Sequence, residues 1–323
     1  MRSCFLSAPE ECEQSVIDAI KDGYRLIDTA VAYANQKAVG NAIKKCIDEG
    51  IVKREELFIT TKLWITEWKP EDVEKSVKLS LEELQLDYID LFLVHQSVLM
   101  NLPKDLDEKR RKGYFFDRPL IPEDDPKYRL GYNIDNLKQT WGKMEELCRA
   151  GLLHSIGVSN FSGKRIKDML SFCTIKPAVN QVELHPYLQQ WETKAICDAA
   201  GIYLMAFYPL GGSVKTRSST NPGPMEDPVI KRIAEKYHKT PAQIVIRWAV
   251  QRGTICIPKS SHEERIKENC SIYDFELSEE EMSEMKALDK RFRFVRIDAL
   301  VPSPQTWRDI WDGEYVDNYR CLF

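Results

Sequence analysis

The sequence has 323 residues and a mass of 37.4 kDa, with 43% hydrophobic and 30% charged residues. A chain of this composition can bury enough apolar surface to form a packed core, which excludes a disordered or fibrous protein. The 46 basic and 50 acidic residues give a net charge of -4, so the surface carries no overall positive field. We therefore expect neither a nucleic-acid partner nor binding to an anionic membrane.

Nine cysteines are scattered along the chain, and none forms a CxxC pair. This pattern is typical of buried thiols in a reducing compartment rather than of a disulfide framework. No group of histidine, cysteine and carboxylate residues has metal-ligand spacing, so we expect no metal site. No apolar run approaches the ~18 residues of a transmembrane helix, and the first residues do not form a signal peptide. The sequence therefore predicts a cytoplasmic protein without a membrane partner.

Short apolar runs alternate with segments of helical periodicity along the whole chain. The first helix ends at Gly23, and the second follows a strand that ends at Asp28. The predicted strands are residues 26–28, 57–62, 89–95, 153–159, 179–183, 203–207 and 254–257. The predicted helices after the first are residues 35–49, one that begins at Pro70, one around 137–147, one around 166–170, 195–201, 229–237, 241–252 and a last one at 264–269.

Seven strands separated by helices predict a parallel sheet, because parallel neighbours need a long crossover that a helix supplies. Two architectures have this pattern, a closed (β/α)8 barrel and an open doubly wound sheet. A dinucleotide-binding open sheet is expected to carry G-x-G-x-x-G after its first strand, and this chain has no such run. The missing run argues against such an open sheet, but the strand pattern alone leaves both architectures open. An eighth strand that would close the sheet can lie only within residues 1–6, where it would be abbreviated.

Polar residues stand at the ends of three successive predicted strands. They are Asp28, Lys62 and His95, and Tyr33 follows five residues after the first of them. In a barrel the carboxyl ends of the strands meet on one face, where polar side chains are candidates for catalysis. The four residues are therefore expected to form one site.

Six motifs extend this pattern over most of the chain. They are DTAVAYAN from Asp28 to Asn35, TTKLW around Lys62, DLFLVH ending at His95, GVSNF at 157–161, NQVELHP at 180–186, and IPKS at 257–260 followed by Arg265, Glu268 and Asn269. In this order, over about residues 7–269, they resemble the aldo-keto reductases, and in particular the aldose reductase-like branch of that family.

The resemblance implies an α/β fold with one (β/α)8 TIM barrel domain over residues 1–323, an abbreviated first strand and long loops on the carboxyl face. It also implies reduction of a small-molecule carbonyl substrate by NADPH. Aldehydes and aldoses are the expected substrates, ketones are further candidates, and alcohols are the products. Hydride addition leaves negative charge on the carbonyl oxygen, so an acid has to donate a proton there. Tyr33 is the implied acid, because the ammonium of Lys62 stabilises its phenolate and Asp28 holds the lysine in place. His95 is expected to orient and polarise the carbonyl group.

Cofactor residues follow from the same motifs. The resemblance assigns Ser159, Asn160 and Gln181 to the nicotinamide carboxamide, Phe207 to stacking on the nicotinamide ring, and Leu210 to Ser213 to the pyrophosphate. Lys259, Ser260 and Arg265 resemble a clamp for the 2′-phosphate, with Glu268 and Asn269 in the same motif. Two cations and a hydroxyl group suit a dianion, which favours NADPH and NADP+ over NADH and NAD+.

The expected substrate pocket combines residues from separate parts of the chain. The resemblance places Phe5, Trp64, Gln96 and Trp307 in this pocket and implies that the C-terminal tail, from about 285 to 323, forms one of its walls. Gln96 stands where many relatives carry tryptophan, so the pocket is expected to be less apolar there. The loop over residues 96–133 is a candidate lid or pocket wall because it is much longer than an ordinary connection.

Two alternatives to a monomeric enzyme stay open at this level. A cofactor-binding, redox-sensing regulatory subunit has the same fold and the same cofactor motifs. A degenerate barrel that cannot fold is the other alternative, because the first strand is either abbreviated or lost to a misplaced start codon.

Overall fold

A parallel β-sheet covered by helices forms the centre of the protein. The computed structural model describes residues 1, 8–101, 128–212, 223–295, 300–302 and 304–314. Its parallel strands are β1 (Leu26–Asp28), β2 (Phe58–Leu63), β3 (Ile89–Val94), β6 (Leu153–Ser159), β7 (Val179–Glu183), β8 (Tyr203–Phe207) and β9 (Ile255–Cys256), hydrogen-bonded in that order. A separate antiparallel pair consists of β4 (Leu99–Met100) and β5 (Arg129–Gly131).

Helices connect the strands of the sheet, and others precede its first strand or follow its last one. They are α1 (Pro9–Lys21), α2 (Gln36–Asp48), α3 (Pro70–Leu84), α4 (Ile134–Arg149), α5 (Gly163–Leu170), α6 (Trp191–Ala200), α7 (Pro228–Tyr237), α8 (Pro241–Gln251), α9 (Glu263–Cys270), α10 (Glu279–Ala287) and α11 (Trp307–Ile310). Short 3-10 turns occupy Val31–Tyr33, Arg54–Glu56 and Pro224–Glu226.

This arrangement confirms the predicted α/β fold class. All seven predicted strands are present, and their sheet follows chain order with helical crossovers, as a (β/α)8 barrel requires. The predicted first strand, residues 1–6, lies outside the described residues except for Met1. The carbonyl oxygen of Met1 accepts a hydrogen bond from the Asp28 backbone N–H at 2.8 Å, so Met1 lies along the edge of β1.

Two parts of the secondary structure differ from the prediction. The helix at 264–269 is not the last one, because α10 and α11 follow it. Ser278 begins α10 with a capping box in which its side chain and that of Glu281 exchange hydrogen bonds with the backbone. The 96–133 loop is also not entirely irregular, since its two ends pair as β4 and β5; residues 102–127 lie outside the described part.

The main core lies between the sheet and its covering helices. Every residue of β3 is buried, as expected for a parallel strand with both faces covered. Phe92 of this strand packs in one cluster with Trp141 of α4 and Trp248 of α8. Burial of each large apolar side chain contributes about 1.5–3 kcal/mol, so the core holds the strand ends at fixed positions.

The seven cysteines among the described residues are all free thiols. Burial raises the pKa of Cys197 and of Cys256 to about 12, which keeps both groups protonated and unreactive at neutral pH. In the same part of the chain, no helix is both long enough and apolar enough to cross a membrane.

Gly40 allows α2 to approach the end of α3 closely. A Cβ atom at this position would lie 2.4 Å from the backbone oxygen of Glu83. We expect Gly40→Ala to lower the free energy of unfolding by about 1–3 kcal/mol, because neither backbone can move away cheaply. Urea denaturation measures this change.

Gly142 in α4 is the matched control, since a Cβ atom there meets nothing within 4 Å. We expect Gly142→Ala to stabilise the protein by about 0.5–1 kcal/mol through helix propensity alone. Equal effects of the two substitutions would contradict the role given to the close helix contact.

Candidate active site

The sheet register brings three predicted site residues to one edge. Asp28 is the last residue of β1, Lys62 lies next to the end of β2, and His95 directly follows β3. These strands are parallel neighbours, with Asp28 aligned to Thr60 and Lys62 aligned to Leu93. The carboxyl ends of such strands meet on the same face, so the three side chains converge as predicted.

The ammonium group of Lys62 is the centre of this convergence. Its Nζ atom lies 2.6 Å from Asp28 Oδ1, 2.8 Å from the Thr29 carbonyl oxygen and 3.4 Å from the Tyr33 hydroxyl. The side chains of Lys62 and Asp28 are 1% and 0% exposed. An ammonium has three N–H donors, and here each one has an acceptor.

A short 3-10 turn places Tyr33 beside the lysine. This turn begins three residues after β1 and ends at Ala34, which has a left-handed backbone with φ of 54°. The phenol ring is 5% exposed and stands edge-on to the imidazole of His95, with ring centroids 5.8 Å apart. Trp64 contacts the same imidazole at 5.1 Å, so His95 lies between two aromatic rings.

Gln181 on β7 connects the expected cofactor site to the ion pair. Its Nε2 atom donates a hydrogen bond of 2.7 Å to Asp28 Oδ2, the oxygen that does not face Lys62. The family resemblance assigns Gln181 to the cofactor alone. The second contact joins residues 153 positions apart, and no motif spacing indicates it.

Ser159 and Asn160 extend this network at the end of β6. The Ser159 hydroxyl donates to the Gln181 carbonyl oxygen at 2.8 Å, and Asn160 Nδ2 donates to the His95 carbonyl oxygen at 2.9 Å. Asn160 has a left-handed backbone with φ of 61°, which asparagine tolerates better than most residues. The structure therefore brings the three predicted carboxamide residues together with the catalytic candidates.

Three further cofactor candidates lie at the end of β8 or shortly after it. Phe207 is the last residue of β8 and is buried beside Met205 and Ile257. Leu210 is half-buried and packs against the main core. Ser213 lies outside the described residues.

The expected phosphate clamp lies where β9 leads into α9. Lys259 and Arg265 are exposed, and neither forms an ion pair with any carboxylate in the part of the chain that the structure describes. Ser260 is buried and accepts from the His262 backbone N–H at 3.1 Å. Two unpaired cations beside a hydroxyl group fit a phosphate dianion.

Glu268 and Asn269 pack into the protein, whereas the two cations of the clamp are exposed. The Glu268 carboxylate accepts a hydrogen bond from the Thr240 hydroxyl, and its carbonyl oxygen accepts from Gln243 Nε2 at 3.2 Å. Asn269 is buried. These contacts hold the start of α8 against α9.

The pocket candidates are only partly described. Trp64 and Gln96 are buried next to His95, and Gln96 Oε1 has no hydrogen-bond partner among the described residues. Trp307 begins α11, but its side chain lies outside the described part, as does Phe5. The C-terminal tail packs over the site through Leu300, Val301, Ile310 and Trp311, which share one apolar cluster with Tyr33 and Trp64.

Comparison with known proteins identifies the class to which this fold and site belong. The sequence profile of the Aldo/keto reductase family matches residues 7–290. The chain belongs to the aldo-keto reductase family. It is 42% identical over 294 residues to aldo-keto reductase family 1 member A1 of Homo sapiens. The aligned region covers 90% of this chain and 85% of the relative. The corresponding Gallus gallus protein is 41% identical over 293 residues, 90% of this chain and 84% of the relative.

Solved structures agree with this assignment and with the barrel fold. The aldose reductase of Schistosoma japonicum superimposes with a TM-score of 0.80 at 32% identity, covering 93% of this chain and 91% of that one. A Bombyx mori aldo-keto reductase in complex with NADP gives a TM-score of 0.79 at 34% identity, with the same coverage. Both the family and the aldose reductase-like branch expected from the motifs are therefore confirmed.

The buried ion pair generates a stability prediction. We expect Asp28→Asn to lower the free energy of unfolding by about 3–5 kcal/mol, because it leaves the Lys62 ammonium buried without a carboxylate. The double variant Asp28→Asn with Lys62→Met removes that charge and should recover part of the loss in urea denaturation.

The exposed pair between Lys44 and Asp48 in α2 is the control, with side chains 56% and 58% exposed. Asp48→Asn should change stability by about 0.5 kcal/mol or less. A double variant at the buried pair that is less stable than the single one would contradict the argument.

Proposed function

We propose that this protein reduces aldehydes and aldoses to alcohols with NADPH, and that Tyr33 is the proton donor. One observation carries the proposal: the Tyr33 hydroxyl lies 3.4 Å from a buried ammonium that is itself paired to a carboxylate at 2.6 Å. The family assignment and the NADP complex of the Bombyx mori relative support the cofactor. The substrate class is supported by the aldose reductase from Schistosoma japonicum.

When bound, NADPH supplies the hydride that adds to the substrate's carbonyl carbon. The residues of this chain handle the charge that then develops on the carbonyl oxygen. Tyr33 donates its hydroxyl proton to that oxygen, and the Lys62 ammonium stabilises the phenolate that remains. Asp28 neutralises the lysine and fixes its position, so the three groups act as one unit.

His95 positions the carbonyl group for this proton transfer. Its imidazole stands 5.8 Å from the Tyr33 ring and 5.1 Å from the Trp64 ring, measured between ring centroids. A hydrogen bond donated by the imidazole would hold the carbonyl oxygen beside the phenol. A single positioned donor of this kind lowers a barrier by roughly 3 kcal/mol. Tyr33 and His95 are nearly buried, which limits competition from water.

The cofactor would be held along the carboxyl edge of the sheet. Ser159, Asn160 and Gln181 would bind the carboxamide, and Phe207 would stack on the nicotinamide ring. Leu210 to Ser213 would lie over the pyrophosphate, and Lys259, Ser260 and Arg265, with Glu268 and Asn269 beside them, would bind the 2′-phosphate. The unpaired cations of this last group support NADPH over NADH.

The organisation of the chain is also part of the proposal. We propose that residues 1–323 form one domain that acts as a cytoplasmic monomer. The proton donor, its lysine and the histidine lie within contact distance of one another in one chain, which supports a site built within one copy. Free thiols at the described cysteines fit a reducing compartment.

Tyr33→Phe tests the proton donor. We expect the turnover of glyceraldehyde to fall by at least about 100-fold, because the carbonyl oxygen loses its acid. The NADPH dissociation constant should stay within about twofold, since the residue does not hold the cofactor. Absorbance of the reduced nicotinamide measures turnover, and fluorescence titration measures binding.

Tyr203→Phe is the matched control, because this tyrosine lies at the other end of β8 and is 64% exposed. It should leave turnover unchanged. If the native protein binds NADPH but reduces none of a panel of aldehydes, the redox-sensing regulatory subunit is the better explanation.

Arg265→Ala tests the phosphate clamp. We expect the NADPH dissociation constant to rise about tenfold or more, while NADH binding changes by less than about twofold, because only NADPH carries the 2′-phosphate. Lys267→Ala, an exposed cation on the same helix, should affect neither cofactor. Equal losses for both cofactors in Arg265→Ala would refute the clamp.

A further inference from the structure

Arg165 on α5 is a buried arginine that the proposed reaction does not use. It is 4% exposed, although arginine is among the residues least often buried without partners. Burial lowers the pKa of its guanidinium, and the carboxylate of Asp312 acts in the opposite direction. A guanidinium retained in such a place needs specific partners, and these lie on two separate segments of the active-site rim.

The first segment directly follows His95. Arg165 Nη1 donates a hydrogen bond to the hydroxyl of Ser97, two residues after the histidine. The guanidinium also lies over the Tyr132 ring, with Cζ 4.5 Å from the ring centroid. These contacts bind one side of Arg165 to the rim of the barrel.

The second segment is the C-terminal tail. Arg165 Nη2 donates to the Asp309 carbonyl oxygen at 3.2 Å, and Nε lies 3.5 Å from Asp312 Oδ2. Glu314 attaches the same tail to the ends of two helices. It accepts from the Gly163 backbone N–H at 2.8 Å and from the Thr193 hydroxyl at 2.7 Å.

The tail residues between these attachments cover the site. Ile310 and Trp311 are buried in the apolar cluster that contains Tyr33 and Trp64. Arg293 holds the Trp311 ring from another direction, with Cζ 3.5 Å from the ring centroid. Because these tail residues share a cluster with Tyr33, a substrate that extends from Tyr33 towards them would contact the tail.

We propose that Arg165 is a positioning residue that clamps the C-terminal tail to the segment after His95, and that it sets the preference for aldehydes large enough to reach the tail. The inference rests on the proposed function and deepens it, since it concerns the substrate class of the same site. Arg165 touches neither Tyr33 nor Lys62 in the described contacts, so the proton transfer itself does not depend on it.

Arg165→Met tests the clamp, because methionine fills similar space without charge or hydrogen bonds. We expect kcat/KM for 4-nitrobenzaldehyde to fall about tenfold, mainly through KM, while kcat/KM for propanal changes by less than about twofold. Hydrogen exchange supplies a readout independent of activity. Backbone amides at 310–314 should exchange at least about tenfold faster in this variant, since local opening of the tail becomes easier.

Lys164→Met is the matched control on the neighbouring residue. Its Nζ lies 3.5 Å from Asp312 Oδ1, but its side chain is 69% exposed, and we expect neither readout to change. Asp312→Asn removes the carboxylate partner of Arg165 on the tail and should shift both readouts in the same direction as Arg165→Met. It keeps the test valid if Arg165→Met folds poorly.

Several results would overturn the inference. Equal losses for both aldehydes, unchanged exchange of the tail, or the same effect in Lys164→Met would each show that Arg165 is not a selective clamp. If the native protein reduces neither aldehyde, the proposed function fails instead. The exchange measurement still decides in that case whether Arg165 holds the tail.

Discussion

The ammonium of Lys62 is the constraint on which the rest of the site depends. Removing a charge from water is costly, and a lone buried lysine usually loses its proton instead. Here the three N–H groups point at a carboxylate, a backbone carbonyl and a phenol, so no donor is left for water. The carboxylate and the carbonyl compensate the charge, and the phenol is the partner to which the proposed reaction assigns the proton transfer.

The parallel sheet makes this arrangement possible. Asp28, Lys62 and His95 belong to three neighbouring strands whose register is fixed by backbone hydrogen bonds and by burial on both faces. A slip of one residue in β2 would turn Lys62 away from the barrel axis and bring a neighbouring side chain in its place. The positions of these three side chains therefore depend on core packing away from the site, including the apolar contacts between β3, α4 and α8.

Much of this could be predicted from the sequence, because buried parallel strands appear as continuous apolar runs. Residues 153–159, 179–183 and 203–207 have the predicted bounds, and the polar residues at strand ends do converge. The helix α10 was missed because it begins with three glutamates and has no clear apolar stripe, although its Ser278 cap is visible in the sequence. The bonds from Arg165 to the tail span 144 residues and depend on tertiary contact alone, so no local pattern indicates them.

The side-chain amide of Gln181 connects the proposed cofactor site to the buried ion pair of Lys62 and Asp28. This amide donates a hydrogen bond from Nε2 to the carboxylate that supports Lys62, and Oε1 is the acceptor atom of the same conjugated amide. A hydrogen bond accepted at an amide oxygen polarises the group and makes its N–H a stronger donor, because bonds in a chain reinforce one another. Occupation of that oxygen by a ligand would thus draw electron density from Asp28 and alter the electric field at the phenol, without any atom changing place.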